Sequence, residues 1–329
     1  MSSVGNVGND ELYRYPFPPY PTGWYLLCRS DELAPGEVLT VHYFGRELVA
    51  YRTESGEAVV VDAHCPHLGA HLGYGGAVVG ESIRCPFHAW RFDTAGSCVE
   101  VPYLQSRNGD RAALPKVGLR CWTVAETSGL IHVHYSDHGQ PPTWPVPDIP
   151  DWGQPGWVGY VGTGWTVKMH VQELAENVPD TAHFLVVHGL PTQPVAEIST
   201  EDHIFHQRTV MGDDWYFTQD WYGLWLIWLR IFGPVTYWFR SAITPIDETT
   251  VDLRLLFYVD AGEGATELSP TARQHIDATI ENTARDIPIW EHKVYREKAP
   301  LVPGDGPLNA LRHWATQFYE TAEVTSATH

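Results

Sequence analysis

The sequence is poor in cysteine and in basic residues and has no long apolar run, and each shortage excludes a class of protein. Five cysteines in 329 residues are too few for a disulfide framework. Only 21 lysines and arginines stand against 40 acidic residues, so a nucleic-acid backbone or an anionic membrane surface would be repelled. No segment approaches the roughly 18 consecutive apolar residues of a membrane-spanning helix. With no signal-peptide pattern in residues 1–10, these shortages predict a soluble cytoplasmic protein.

The chain divides by pattern into two parts that a proline-rich stretch joins. Residues 23–135 carry short apolar runs between turn signals, which predicts a small all-β module, and the six prolines of residues 140–156 favour an irregular connector. Further on, aromatic-rich runs predict strands, residues 171–188 predict a helix, and Ser269 with Pro270 marks the start of a last helix. The predicted fold is α+β, with an extension (1–20), an all-β domain (21–140), a connector (141–156) and a domain with a curved antiparallel sheet and helices (157–329).

Two pairs of potential metal ligands lie on predicted loops of the all-β module. Cys65 and His67 stand in C-P-H, Cys85 and His88 stand in C-P-F-H, and seventeen residues separate the pairs. Each pair joins a thiolate to an imidazole, which suits two inequivalent metals: in a Rieske [2Fe–2S] centre, two Cys hold one iron and two His hold the other. Zinc is the alternative, although zinc modules usually pair Cys with Cys and His with His. The pattern favours the iron–sulfur cluster.

A second group of metal-binding residue types occupies residues 176–188, which read E-N-V-P-D-T-A-H-F-L-V-V-H. Helical periodicity places residues three to five apart on about one side, so His183 and His188 could face one ion. Two imidazoles and a carboxylate on one face of Fe(II) leave positions open for O2 and substrate. Since the chain contains 17 histidines, a chance spacing is the alternative.

Together, the two patterns resemble the terminal oxygenase subunit of Rieske non-heme iron oxygenases. Gly69 follows the first Cys-His pair, Trp90 follows the second, and residues 176–188 match the signature E-x3-D-x2-H-x4-H. The electron-transfer Rieske proteins of respiration and photosynthesis offer another match. However, Ala70 and Phe87 stand where those proteins carry two further, disulfide-bonded cysteines. The resemblance therefore favours an oxygenase, and it implies that the second domain is of the helix-grip type.

The resemblance also implies the roles of residues in the second domain. His183 and His188 would bind a mononuclear Fe(II), with Asp286 of R-D-I-P-I-W-E-H-K as the third ligand. Asp180 would be the electron-transfer bridge from His183 to a cluster histidine, His88, of a neighbouring subunit.

A second set of implications concerns partners. Asn177 matches the motif and would have a catalytic role or a supporting one. The oxygenase would act as a homotrimer, because the bridge requires a neighbouring subunit. Its electrons would come from NAD(P)H through a separate reductase or ferredoxin.

The implied substrate class follows from a narrower resemblance, to 3-ketosteroid 9α-hydroxylases and cholesterol 7-desaturases. It is carried by P-Y-P-x-G-W, C-P-H-L-G-A, C-P-F-H-x-W and D-I-P-I-W-E-H-K. It implies hydroxylation or desaturation of a bulky hydrophobic, steroid-like substrate. Two alternatives stay open: an oxygenase of secondary metabolism that acts on another natural product, and a pure electron-transfer protein. The tryptophan-rich strands would form either sheet core or the wall of an apolar cavity.

Overall fold

A computed structural model describes residues 15–104, 112–212 and 215–319 of the chain; most of the predicted extension, residues 1–14, lies outside them. In the described part, strands β1–β10 build the N-terminal region as three small antiparallel sheets, in the orders β1-β10-β9, β2-β3-β4 and β5-β6-β7-β8. The strands are β1 (Gly23–Arg29), β2 (Val38–Tyr43), β3 (Arg46–Arg52), β4 (Ala58–Asp62), β5 (Ala77–Val79), β6 (Ser82–Arg84), β7 (Arg91–Asp93), β8 (Cys98–Glu100), β9 (Val124–Thr127) and β10 (Leu130–Tyr135). The predicted all-β module is confirmed.

A large antiparallel sheet forms the second region. Within the described residues its order is β11-β17-β16-β15-β14-β13-β12, so every strand except the edge strand β11 lies beside a sequence neighbour. The strands are β11 (Trp157–Val167), β12 (Val195–Glu201), β13 (Ile204–Val210), β14 (Tyr216–Tyr222), β15 (Leu226–Phe232), β16 (Tyr237–Pro245) and β17 (Val251–Asp260). The α+β prediction is confirmed, although β11 and β12 were not predicted.

One face of this sheet, which we call the inner face, is packed against helices. In β13 and β14 burial alternates strictly, as a half-covered strand requires. The buried set of β13 begins with Phe205, and its partner across β14 is Trp221. Further along, the Tyr237 hydroxyl lies 3.1 Å from Thr279 Oγ1 of the long helix α3. The inner face therefore looks toward α3.

Four α-helices are present in the described residues: α1 (Val171–Asn177), α2 (His183–Val186), α3 (Pro270–His292) and α4 (Leu308–Ala315). The Ser269 hydroxyl accepts a hydrogen bond from the Ala272 N–H, so the predicted N-cap of α3 is confirmed. The prediction of one helix over 171–188 is wrong in its middle. Val178 keeps a helical backbone, but Pro179 has no N–H to donate and cannot continue the hydrogen bonding of α1, so α1 and α2 are separate.

The two regions share a continuous apolar core. Tyr25 of β1 stacks on Trp225, with ring centroids 4.4 Å apart and planes 4° from parallel. The Thr244 hydroxyl of β16 donates to the Leu26 carbonyl at 2.7 Å. The β5–β8 sheet instead packs with side chains of β3 and β4 in a second apolar cluster, around Ile83 and Phe92. Residues 136–156 contain no helix or strand, and the exact domain bounds remain a prediction.

A buried cation also joins the two regions. Arg240 of β16 is fully buried, donates from Nη2 to His132 Nε2 of β10 at 2.9 Å, and lies with its guanidinium carbon 4.5 Å from the centroid of the Trp228 ring. Burial, reinforced by Arg240, holds the pKa of His132 well below its ordinary value. His132 is therefore a neutral acceptor. In the described part of the chain, no helix is long and apolar enough to cross a membrane.

Candidate metal centres

Two loops at one end of the all-β module present the Cys-His pairs in the same backbone conformation. In both, the cysteine N–H donates to the carbonyl five residues later, at 2.9 Å for Cys65 and 2.8 Å for Cys85. Each cysteine carbonyl accepts from the N–H four residues later, at 2.9 and 3.1 Å. The residue at that fourth position, Gly69 or Ala89, has a positive φ (73° and 57°). The repeated turn presents the two pairs in equivalent ways.

The side chains of the two pairs converge. The rings of His67 and His88 lie 4.7 Å apart, and His67 stacks on Trp90 with centroids 4.2 Å apart. The Trp90 indole N–H donates to the Tyr103 hydroxyl at 2.7 Å, which fixes the ring beneath His67. Nδ1 of His67 is buried and has no hydrogen-bond partner among the described residues. A buried nitrogen without a protein partner suits a metal ligand.

Both cysteine sulfurs are buried in the base of this end. Burial, followed by contact with the neighbouring Cys85 thiol, raises the pKa of Cys65 to about 11, although the His67 N–H opposes the rise. Thiolates form at such a position only when a cation compensates for the lost hydration. Two buried sulfurs with two less buried imidazoles fit the donor set of a Rieske cluster.

The second group of predicted ligands also comes together. His183 begins α2, His188 follows its end, and Asp286 projects from α3 at only 5% exposure. One ligand atom from each of the three residues lies within 4.8 Å of the others, and His188 Nε2 is 3.4 Å from Asp286 Oδ2. Two imidazoles and one carboxylate are the donor set of non-heme Fe(II) oxygenases, so the residues present fit such an ion.

The backbone around Asp180 fixes the orientation of His183. Nδ1 of His183 donates to the Asp180 carbonyl, while the Asp180 carboxylate lies 3.8 Å away and accepts from the Ala182 N–H. Burial lowers the pKa of His183 more than the charges of Asp286 and Asp180 raise it. The imidazole is thus held neutral, with Nε2 turned toward His188 and Asp286.

Asn177, the last residue of α1, lies between two of the three ligands. Its amide Nδ2 is 3.3 Å from His183 Nε2 and 3.5 Å from Asp286 Oδ2. The adjacent Glu176 turns the other way. Its buried carboxylate accepts from Arg312 of α4 at 2.6 and 2.9 Å. Sequence reasoning missed Arg312, because no motif spacing relates α4 to α1.

The comparisons with known proteins agree with this arrangement. Residues 23–123 match the Rieske [2Fe-2S] domain family, and residues 133–319 match the family described as the 3-ketosteroid 9α-hydroxylase C-terminal domain. A cholesterol 7-desaturase of Bombyx mori is 32% identical over 92% of this chain and 70% of that protein. A probable 3-ketosteroid-9-alpha-monooxygenase, oxygenase component, of Rhodococcus rhodochrous is 31% identical over 92% of this chain and 81% of its own length.

Solved structures share the fold at lower identity. Dicamba monooxygenase bound to dicamba superposes with a TM-score of 0.72 at 19% identity, covering 90% of this chain and 96% of that one. Caffeine-bound NdmA of Pseudomonas putida CBB5 gives 0.71 at 20% identity, covering 89% of each chain. At these identities the likeness concerns the fold alone.

Proposed function

The chain belongs to the Rieske non-heme iron oxygenases, in the branch of 3-ketosteroid 9α-hydroxylase and cholesterol 7-desaturase, and we propose that its substrate is a steroid-like polycyclic compound. It is a terminal oxygenase that hydroxylates or desaturates a hydrophobic substrate with O2. The observation that carries the proposal is the convergence of His183, His188 and Asp286 beneath a sheet whose inner face is mostly apolar. Because that face looks toward α3, which carries Asp286, a bulky apolar molecule bound beside the metal ligands would contact its apolar side chains.

We assign the ligands residue by residue. The two thiolates would hold one iron of the [2Fe–2S] cluster and the two imidazoles the other. His183, His188 and Asp286 would hold the mononuclear iron, which supplies O2 activation when bound. The assigned cluster ligands are Cys65, Cys85, His67 and His88.

The residues around the proposed iron would hold it in one geometry. The Asp180 carbonyl fixes the ring of His183, so that Nε2 faces the ion. The Asn177 amide can donate to Asp286 Oδ2, the carboxylate oxygen that also lies near His188, and it would thereby limit rotation of the carboxylate. Both contacts position ligands, and neither requires Asn177 or Asp180 to touch the substrate.

We propose a homotrimer in which the Cys-His end of one subunit docks beside Asp180 of the next. Both surfaces expose apolar side chains, with Phe87 at 62% on the first and Val186 at 85% on the second. The Asp180 carboxylate is one-third exposed, so it remains available to a neighbouring histidine. His88 of the next subunit is the proposed partner, which would make the Asp180 side chain the route for electrons.

The remaining assignments concern the source of the electrons, the cellular location and the domain bounds. A separate reductase would deliver electrons from NAD(P)H to the cluster, consistent with a relative named as an oxygenase component. We place the protein in the cytoplasm, where thiols stay reduced. The proposed domains are 21–140 and 157–329, joined by residues 141–156 and preceded by an extension at 1–20.

Turnover with a surrogate reductase tests the function. Steroid ketones, sterols and non-steroid polycyclic compounds are incubated with the protein, the reductase, NADH and O2, and the products are identified by mass spectrometry. We expect a hydroxylated or dehydrogenated steroid, and no product from an Asp286→Ala variant. Turnover confined to the non-steroid compounds would refute the substrate class and leave the reaction type standing.

A further inference from the structure

Gln219 lies in the middle of β14, and its side-chain amide is buried. Its side chain is 1% exposed, and neither Oε1 nor Nε2 has a hydrogen-bond partner among the described residues. A buried amide that makes no hydrogen bond loses free energy of hydration without compensation, so such groups are few in folded proteins and call for an explanation.

The surroundings of Gln219 are otherwise apolar on one side. Reading across the sheet from β14, its neighbours in register are Leu229, Phe239 and Phe257, all on the inner face. Its neighbour on the other side is Gln207 of β13. The two glutamines thus form a polar island at the edge of an apolar row. Stability of the sheet alone does not account for an amide here, because an aliphatic side chain would continue the row.

Gln207 has a structural role that Gln219 lacks. Its Nε2 donates to the Val178 carbonyl at 3.3 Å and to Thr209 Oγ1 at 2.9 Å. The carbonyl fixes which end of the Gln207 amide carries the hydrogens. Val178 lies in the break between α1 and α2, so Gln207 satisfies a carbonyl that the interrupted helix leaves free. Gln219, one strand further in, satisfies none.

Two contacts made by other residues of the inner face relate the position of Gln219 to the metal ligands. Gln207, beside it, bonds the residue that follows Asn177, whose amide lies near His183 and Asp286. On the same face, Tyr237 contacts Thr279, two helical turns before Asp286 on α3. The inner face at Gln219 is therefore on the side of the sheet where the α1–α2 break and α3 lie.

We propose that Gln219 determines specificity by hydrogen bonding to an oxygen substituent, a carbonyl or hydroxyl, of an otherwise apolar polycyclic substrate. This inference rests on the proposed function and narrows it from hydrophobic compounds to oxygenated ones. A carbonyl oxygen can accept from Nε2, and a hydroxyl can in addition donate to Oε1. The bond would fix the distance between the oxygen of the substrate and the carbon presented to the iron. A hydrocarbon of the same shape would leave the amide unpaired and would bind less well.

Equilibrium binding to the iron-loaded protein tests this without turnover. The probes are a steroid diketone and the two matching monoketones, each with a methylene in place of one carbonyl, and quenching of tryptophan fluorescence reports binding. We expect the unsubstituted protein to bind the diketone about tenfold more tightly than one monoketone. In Gln219→Met, which preserves the length of the side chain, that preference should disappear through weaker diketone binding.

Controls separate specificity from folding. Thr218→Val, on the same strand and the opposite face, should keep the preference for the diketone. With a probe that has a hydroxyl in place of that carbonyl, Gln219→Glu should retain part of the preference, because a carboxylate still accepts a hydrogen bond from the hydroxyl. A preference unchanged in Gln219→Met, or equal binding of all three probes by the unsubstituted protein, would overturn the inference while the proposed function stands. A second outcome is that Gln219→Met loses the preference while the unsubstituted protein oxidises none of the probes. That result would support the inference and contradict the proposed reaction.

Discussion

His188 Nε2 lies 3.4 Å from Asp286 Oδ2, although the two residues come from opposite ends of the sheet region in sequence. Six strands, β12–β17, separate them along the chain, and α3 folds back to bring the carboxylate to the imidazole. At 5% exposure, the Asp286 carboxylate is costly to bury without a cation. This pairing gives the proposed iron site its third ligand.

Substitution of a ligand of the mononuclear iron should remove that iron and leave the cluster in place. In Asp286→Ala or His183→Ala we expect roughly two irons per chain instead of roughly three, with the reduced Rieske signal retained, because the cluster ligands lie in another domain. Metal analysis and electron paramagnetic resonance measure this. Asp277→Ala, an exposed position on α3, is the matched control. Full iron content in Asp286→Ala would show that the third ligand lies elsewhere.

Asp180→Asn should leave both metals in place and slow the transfer of electrons between them. The amide keeps the shape of the side chain and the backbone contact to His183, but it accepts hydrogen bonds less strongly than a carboxylate. Stopped-flow oxidation of the reduced cluster by O2 with substrate present should slow by about tenfold or more. If the cluster is oxidised as fast as in Asp277→Asn, the bridge does not run through Asp180.

The ion pair of Glu176 and Arg312 should stabilise the fold far more than a surface pair does. Arg312→Met leaves a buried carboxylate at the end of α1 and should lower the free energy of unfolding by about 2 kcal/mol or more. Arg285→Met breaks an exposed pair with Glu281 and should cost less than about 0.5 kcal/mol. Denaturant titration compares them.

A double substitution tests whether the loss of stability in Arg312→Met comes from the unpaired charge of Glu176. Adding Glu176→Leu to Arg312→Met removes the unpaired charge and should recover much of the loss. If Arg312→Met and Arg285→Met lower the free energy of unfolding equally, Glu176 is in contact with water rather than in a desolvated pair.

Stability should fall with acid because His132 is buried neutral. Its folded-state pKa lies below the ordinary value of about 6.5, so its contribution is complete above that pH and is lost as the pH falls toward the folded-state value. His132→Gln keeps an acceptor for Arg240 and does not titrate. Below pH of about 6.5, the free energy of unfolding of this variant should therefore decline less steeply than that of the unsubstituted protein, by up to about 1.4 kcal/mol per pH unit.

The exposed His313 provides the comparison for that pH dependence. His313→Gln on α4 should follow the unsubstituted protein at every pH. Identical slopes for His132→Gln and His313→Gln would mean that His132 is protonated in the folded state.

The sequence predicts some strands of the large sheet well and misses β11 and the α1–α2 break, for physical reasons. The runs of β13–β17 alternate or stay apolar over most of each strand, so the sequence predicts strands there. In contrast, β11 (Trp157–Val167) contains several glycines and shows mixed burial, because it is the sheet edge. The α1–α2 break follows from Pro179, whose effect was outweighed in the sequence by the helical spacing of its neighbours.

The site was predictable where the ligand spacing is local. The pairs at Cys65 and Cys85 lie on short loops, and His183 and His188 lie on one segment, so the sequence carries their geometry. Asp286 required a resemblance, since nothing in its own spacing relates it to the histidines. Gln219 shows no signal, because only cross-strand register places it on the inner face.

Single-turnover oxidation of the reduced protein tests the central claim most directly, namely that the cluster feeds electrons to an iron held by His183, His188 and Asp286. Protein reduced without oxygen and mixed with O2 and a steroid ketone should form oxidised product as its reduced Rieske signal decays. In Asp286→Ala the signal should persist much longer and no product should form. Oxidation of the cluster at the same rate in both proteins, with product in neither, would contradict the account.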